Sequence, residues 1–210
     1  FHDVVCGWCF NISPRLHDLS EEFALDIRHR SYVLQESRER MIEVFGSMAR
    51  AKRTILGHWA ACRTASDTPE RFNIAAMRGA HFDYPHGLPG ALACKAAERL
   101  DGQQAHWQMF DAIQQAHICE ARNVADRDEL LRIAQAAGFD VQKFAQLLAC
   151  PQTRSAVEDD RRLAARLQVA SVPAIIIRET GARLINGPIE DLRAQISANL
   201  HLSGQARAHQ

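Results

Sequence analysis

Val4-Val5-Cys6-Gly7-Trp8-Cys9 is the stretch on which the reading of this chain turns. Two β-branched residues end a strand, and a Cys-x-x-Cys follows at once. With two residues between them, the sulfurs meet in a small ring when a helix starts there. A helix N-terminus offers unpaired N–H groups and the positive end of its dipole to the first sulfur. Thiols in such settings are shifted from about 8.5 toward roughly 3.5–7.5, which makes a reactive thiolate. The same spacing is also half of a zinc site, so the remainder of the chain has to choose.

Downstream of Cys6, the pattern predicts a helix to about Glu22, with Phe10, Leu16, Leu19 and Phe23 as its apolar markers. Pro14 inside it removes one backbone donor and predicts a kink. Alternation from Phe23 to Leu34 reads as a second strand. Between Gln35 and about Leu167 nearly every segment has helical composition, rich in Ala, Leu, Arg, Gln and Glu. One of these helices closes at Leu100-Asp101-Gly102, and the next runs from His106 to Ile118. Asp126 with Glu129 forms a capping box, Gly138 closes that helix, and Asp140 caps the following one, which Pro151 stops. Thr153 to Leu167 is one more helix.

After Leu167 the texture changes. Ala174–Ile177 and Ala182–Asn186 read as strands joined through Glu179-Thr180-Gly181, and Ile189 to about Leu200 as a last helix. The fold class expected is therefore α/β, with a small sheet built from the two ends and a large helical insertion between the second and third strands. The expected division is 1–35 with 168–201 as one unit, 36–167 as the insertion, and 202–210 as a loose polar tail.

The totals set limits on partners. The 210 residues are 47% hydrophobic and 24% charged, enough apolar material for a core without disulfide staples. Lys+Arg and Asp+Glu are both 25, which argues against broad capture of nucleic acid or an anionic membrane. No apolar run approaches the roughly 18 residues of a membrane span. Six cysteines stand at 6, 9, 62, 94, 119 and 150, and only the first two are closely spaced. That usage points to a cytoplasmic protein. Because the chain starts at Phe1 rather than Met, a periplasmic location stays open.

Two landmarks at opposite ends carry a family resemblance. Asp3-Val4-Val5-Cys6-Gly7-Trp8-Cys9 is similar to the Asp-x-x-Cys-Pro-Trp-Cys opening of FrnE-like proteins, and Ser171-Val172-Pro173-Ala174 to their later Val-Pro. Arg30-Ser31-Tyr32-Val33-Leu34 and Ala136-Ala137-Gly138-Phe139-Asp140 fit intermediate landmarks. The chain thus resembles the DsbA-like branch of the thioredoxin fold, and within it the FrnE-like group. The resemblance implies a thiol–disulfide oxidoreductase with Cys6 as nucleophile, Cys9 as resolving thiol and Pro173 cis opposite them. Trp8, Val172 and Pro173 would face the substrate, a polypeptide or small molecule bearing a thiol or disulfide. Val172 would lend it backbone hydrogen bonds, as strand addition requires. No tightly bound cofactor or metal is implied beyond the redox-active Cys6–Cys9 disulfide, with glutathione a candidate redox partner and a monomer or homodimer the expected state. Gly7 replaces the usual Pro, loosens the first helical turn and thereby tunes the potential.

Other readings stay open at this point. Related helical-insertion folds include 2-hydroxychromene-2-carboxylate isomerase and kappa-class glutathione transferase, which carry Ser in place of the first cysteine. A metal- or partner-binding module using the Cys pair is the third reading. His117-x-Cys119 invites a metal site, against which stands the lack of a second Cys-x-x-Cys. Cys62, Cys94 and Cys150 read as buried small residues on helices. His81, Asp83, Tyr84 and His86 read as a surface loop. Asp3 reads as a strand terminator that bonds loop backbone. Whether electrons flow toward or away from the substrate is not legible.

Overall fold

The computed structural model describes the backbone of residues 1–208 and the side chains through residue 201. His2 bridges Ser31 in parallel, through His2 N to Arg30 O (3.0 Å) and Tyr32 N to His2 O (2.7 Å). On its other side Phe1 and Ala174 exchange both backbone bonds, at 2.8 and 3.0 Å, the signature of an antiparallel pair. Strands β1 (Ile175–Ile176) and β2 (Arg183–Leu184) pair antiparallel, Ile175 opposite Leu184. The sheet order is thus residues 30–32, residues 1–2, β1, β2.

The alternation expected over Phe23–Leu34 is present as burial, with His29, Ser31 and Val33 inside. Yet this segment is not a regular strand: only Ser31 is bridged. Three of its backbone donors go to side chains. His29 N bonds Gln103 Oε1, Ser31 N bonds Asp160 Oδ2 and Leu34 N bonds Asp3 Oδ2. Side chains of the helical block (Gln103, Asp160) and of the N-terminal turn (Asp3) stand where another strand would pair.

Helix α1 (Gly7–Glu22) runs through Pro14 as one element. It is followed by α2 (Arg38–Phe45), α3 (Met48–Thr64), a 3₁₀ turn at Pro69–Arg71, α4 (Ile74–Gly79) and α5 (Leu88–Gln114). Within α5 the expected break appears as non-helical Asp101 and Gly102, the latter at φ 74°. A π-helical turn, Gln115–Cys119, ends it. Then come α6 (Arg127–Ala136), α7 (Val141–Leu148) and α8 (Pro151–Arg166). Asp126 and Asp140 cap α6 and α7 by accepting backbone N–H bonds, as their spacing predicts. Pro151 does not merely stop α7; it opens α8 at a position where its missing N–H costs nothing. Helix α9 (Ile189–Ala208) runs past the expected end near Leu200. Over 202–208, where a loose tail is expected, the backbone continues α9; the side chains there and residues 209–210 lie outside the described residues.

Helix α1 is the hinge between two cores. Val4, Val5, Cys9 and Phe10 join one continuous cluster with α2 through α7. Ile12 and Leu19, on its other face, pack with Leu192 and Ile196 of α9 and with Ile175 and Leu184. Polar anchors fix its roll. Buried Arg15 holds Asp67 through two bonds (2.6 and 3.0 Å) and Gly187 O through a third (2.7 Å). Ser13 donates to Asp111 (2.6 Å) and accepts from Trp107 Nε1 (2.7 Å).

A buried ionic chain ties the sheet to α5 and α8. Lys95, with its side chain 3% exposed, lies 2.7 Å from both Glu98 and Asp160. Asp160 also receives Ser31 N and Arg30, while Glu98 meets His106, whose other ring nitrogen meets His2 at 3.0 Å. Burial pushes Glu98 up, but His106 and Lys95 overcome it and hold the carboxyl at about 2. Among the described residues no helix is long and apolar enough to cross a membrane.

Candidate active site

Cys6 sits at the N-cap of α1 with extended backbone (φ −91°, ψ 116°). The strand expected to run through Val4-Val5 ends at His2 instead, and Val4 and Val5 form a turn closed by Cys6 N to Asp3 O at 3.1 Å, just before the helix begins. Its sulfur accepts the Cys9 N–H at 3.4 Å, the bond a Ser or Asp cap would make. The Cys6 thiol also donates to Val172 O at 3.7 Å, across 166 residues of sequence. The Val172–Pro173 bond is cis. The tertiary structure therefore brings Cys6, Cys9, Val172 and Pro173 together. Trp8, 38% exposed, displays its indole beside them.

Both thiols are buried, Cys6 at 7% exposure and Cys9 at 0%. Cys9 is fully buried, and that burial, reinforced by Cys6, pushes its thiol well above the usual value. Cys9 therefore holds its proton until something removes it, while Cys6 sits at the helix terminus.

Gly7 has a packing reason. A Cβ at this position would stand 3.0 Å from Cys62 Sγ and 3.3 Å from both Cys62 Cβ and Phe72 Cε1. Helix α3 thus takes the space beside the Cys6–Cys9 turn that a side chain on residue 7 would fill. The Cys62 thiol is pushed up to about 12, mainly by burial.

Two supports of this turn escaped the sequence reading. Gln114 Nε2 donates to Val4 O (2.8 Å) and Cys6 O (3.2 Å), with Asp3 O at 3.4 Å. Tyr84, expected on a surface loop, is 2% exposed and donates to Val5 O at 3.1 Å. Its hydroxyl also meets Trp59 Nε1 and His117 Nε2. A Pro-flanked loop hides such a residue, because the loop pattern says nothing of where its aromatic points. Asp3 behaves as expected, accepting Val5 N and Leu34 N. Burial wins over those bonds and raises its carboxyl to about 6.

Among the described residues no group of three His, Cys, Asp or Glu is placed to hold a metal. His117 is spent on Tyr84, and all six cysteines are free. Cys62 and Cys94 are buried as expected, but Cys150 is half-buried at the start of α8, where its thiol meets Gln152.

A Cys-x-x-Cys helix terminus facing a cis-Pro loop, on a sheet interrupted by a helical block, defines a thioredoxin-fold protein of the DsbA type. The family model for the DSBA-like thioredoxin domain matches residues 1–197, and the chain belongs to that family. Cytosolic disulfide reductase DsbM from Pseudomonas aeruginosa superposes with a TM-score of 0.73 at 26% identity, covering 96% of this chain and 97% of that one. A putative protein disulfide isomerase from Nitrosomonas europaea gives a TM-score of 0.75 at 18% identity, with 95% of each chain covered. In sequence, the chain is 27% identical over 178 residues to the ClpXP adapter protein SpxH of Shouchella clausii, covering 84% of this chain. It spans about half the length of that relative (55%).

Proposed function

We propose that this chain is a thiol–disulfide oxidoreductase whose redox couple is Cys6–Cys9. The observation that carries it is the Cys6 sulfur at the N-cap of α1, 3.4 Å from Cys9 N and 3.7 Å from Val172 O. As a reductase, the Cys6 thiolate attacks one sulfur of a substrate disulfide. A Cys6–sulfur bond forms, the substrate S–S bond breaks, and the departing thiolate takes up a proton. Cys9 then loses its proton and attacks Cys6. The second substrate sulfur leaves as a thiolate, and the Cys6–Cys9 disulfide remains, so two electrons pass from protein to substrate. The same steps reversed oxidise a dithiol. Exposed Trp8 and the Val172-Pro173 loop form the contact surface for the substrate chain.

Several finer assignments belong to this reading. The Asp3…Cys6-x-Trp8-Cys9 opening supports the FrnE-like subgroup. DsbM has been solved with GSH and is described as cytosolic, which supports glutathione as redox partner and a cytoplasmic location. The presence of both cysteines speaks for this chemistry over the Ser-based isomerases and transferases. The test is turnover of a disulfide substrate. Cys6→Ser is expected to abolish it, and Cys9→Ser to accumulate a mixed disulfide on Cys6. Undiminished turnover in Cys6→Ser ends the proposal.

A further inference from the structure

We propose that Gln114 is a positioning residue of the redox centre, acting from the helical block on the turn that carries Cys6. This inference rests on the redox reading above. The turn that links residues 1–2 to α1 leaves the carbonyls of Val4 and Val5 without ladder or helix partners, and buried carbonyls require donors. Val4 is 1% exposed and Val5 8%. Their oxygens are met from the helical block, Val4 O by Gln114 at 2.8 Å and Val5 O by Tyr84 at 3.1 Å. The Gln114 amide reaches one residue further, to Cys6 O at 3.2 Å, the carbonyl that also accepts the first helical bond from Phe10 N.

The orientation of the amide follows from its surroundings. Three carbonyl oxygens face one end of it, so that end must be the NH₂ group. Gln114 Oε1 has no partner among the described residues, although the side chain is 1% exposed. The site therefore spends its donors on the redox turn while its acceptor stays unmatched. Gln114 is the last residue of α5, and the π turn that follows widens the helix at that point. Such π insertions are frequent where a helix must aim side chains at a functional site.

The consequence is mechanical. The bond from Cys9 N to Cys6 Sγ depends on the first turn of α1 keeping its pitch and position. Gln114 holds the carbonyls on both sides of Val5, upstream of that turn. With the hold released, Cys9 N drifts from the sulfur, the thiolate loses a donor, and the reduced state loses stability relative to the disulfide. The Cys6–Cys9 couple then becomes less oxidising.

The decisive measurement is the equilibrium of Cys6–Cys9 with glutathione and glutathione disulfide, read by thiol trapping in wild type and Gln114→Glu. Glu is nearly isosteric but donates only when protonated. At pH 8 the variant is expected to shift about tenfold toward the disulfide, which corresponds to about 30 mV. At pH 5 the shift is expected to shrink as the introduced acid regains a proton to donate. A lowered melting temperature with an unchanged redox equilibrium at both pH values overturns the proposal, because that is what a purely structural amide would give. Should Gln114→Glu fail to fold, Tyr84→Phe removes the neighbouring donor to Val5 O. A shift of several-fold in the same direction supports the clamp, and no shift refutes it. If wild type shows no reversible Cys6–Cys9 couple, the oxidoreductase reading itself has failed, an outcome distinct from failure of the Gln114 role.

Discussion

Replacing Gly7 by Ala tests whether the helical block is fitted against the Cys6–Cys9 turn. Residue 7 is the first helical position, where Ala is normally the better residue, by up to about 0.5–1 kcal/mol. Here the new Cβ meets Cys62 Sγ at 3.0 Å and Cys62 Cβ and Phe72 Cε1 at 3.3 Å. Neither neighbour can give way easily. Cys62 O accepts Asn11 Nδ2 at 2.8 Å, which pins α3 to α1, and Phe72 lies edge-on against Phe10 at 5.2 Å. Overpacking of this kind costs about 1–3 kcal/mol, so after the helical gain a net loss of about 1–2 kcal/mol is expected. For a chain of this size each kcal/mol lowers the melting temperature by about 2–4 °C. The assay is urea unfolding of wild type, Gly7→Ala, Cys62→Ala and the double variant under reducing conditions. Cys62→Ala removes the closest atom, so the double variant is expected to be about 1 kcal/mol more stable than the sum of the singles predicts. Additive losses, or a Gly7→Ala protein as stable as wild type, would show that Cys62 does not decide the residue at position 7.

Three further expectations follow from the structure. Asp160→Ala leaves buried Lys95 short of a counter-ion and strips an acceptor from Ser31 N, so a loss of about 3–5 kcal/mol is expected on thermal unfolding. A loss below about 1 kcal/mol would mean that the ionic chain is not holding the sheet to α8. Stability should fall on acidification from pH 7 to 5. Burial holds His29 at about 2 and His117 at about 3, against 6.5 for a free histidine. Below pH 6.5 the unfolded chain therefore binds protons that the folded one refuses, costing about 1.4 kcal/mol per pH unit for each ring. Asp3, raised to about 6 from 3.8, acts the other way: its stabilisation is complete below 3.8 and is lost as pH rises through 6. From pH 7 to 5 it returns only about 1.4 kcal/mol against about 4 lost, so a urea midpoint that rises toward pH 5 would contradict the buried neutral rings. Finally, Trp8→Ala, at an exposed position, should leave stability within about 0.5 kcal/mol while raising KM for a polypeptide disulfide. Equal KM values for wild type and variant would remove Trp8 from the substrate surface.

What can be read from the residues alone is what short-range chemistry encodes. The Cys6–Cys9 spacing, the caps at Asp126 and Asp140, and the break at Asp101-Gly102 each depend on neighbours within four residues, and each has its expected structural form. The alternation from Phe23 to Val33 correctly marks which side chains turn inward. It cannot report that Gln103, Asp160 and Asp3 take the backbone donors another strand would have used. For the same reason Tyr84 reads as loop, and nothing in the pattern of the expected His106–Ile118 helix singles out Gln114.

The sequence by itself determined that a dithiol opens a helix and that a Val-Pro stands just before a late strand, while the strand expected to reach Val5 gives way to a turn after His2. Only the tertiary structure decided what surrounds the dithiol. Val172 comes from 166 residues away and Gln114 from 108, and chain periodicity carries no information over such spans. Gly7 illustrates the difference. In sequence it is a flexible residue at a helix start, open to a role in redox tuning. In the fold it packs closely against Cys62 and Phe72, so a methyl group there would fit only if those neighbours gave way by a few tenths of an ångström.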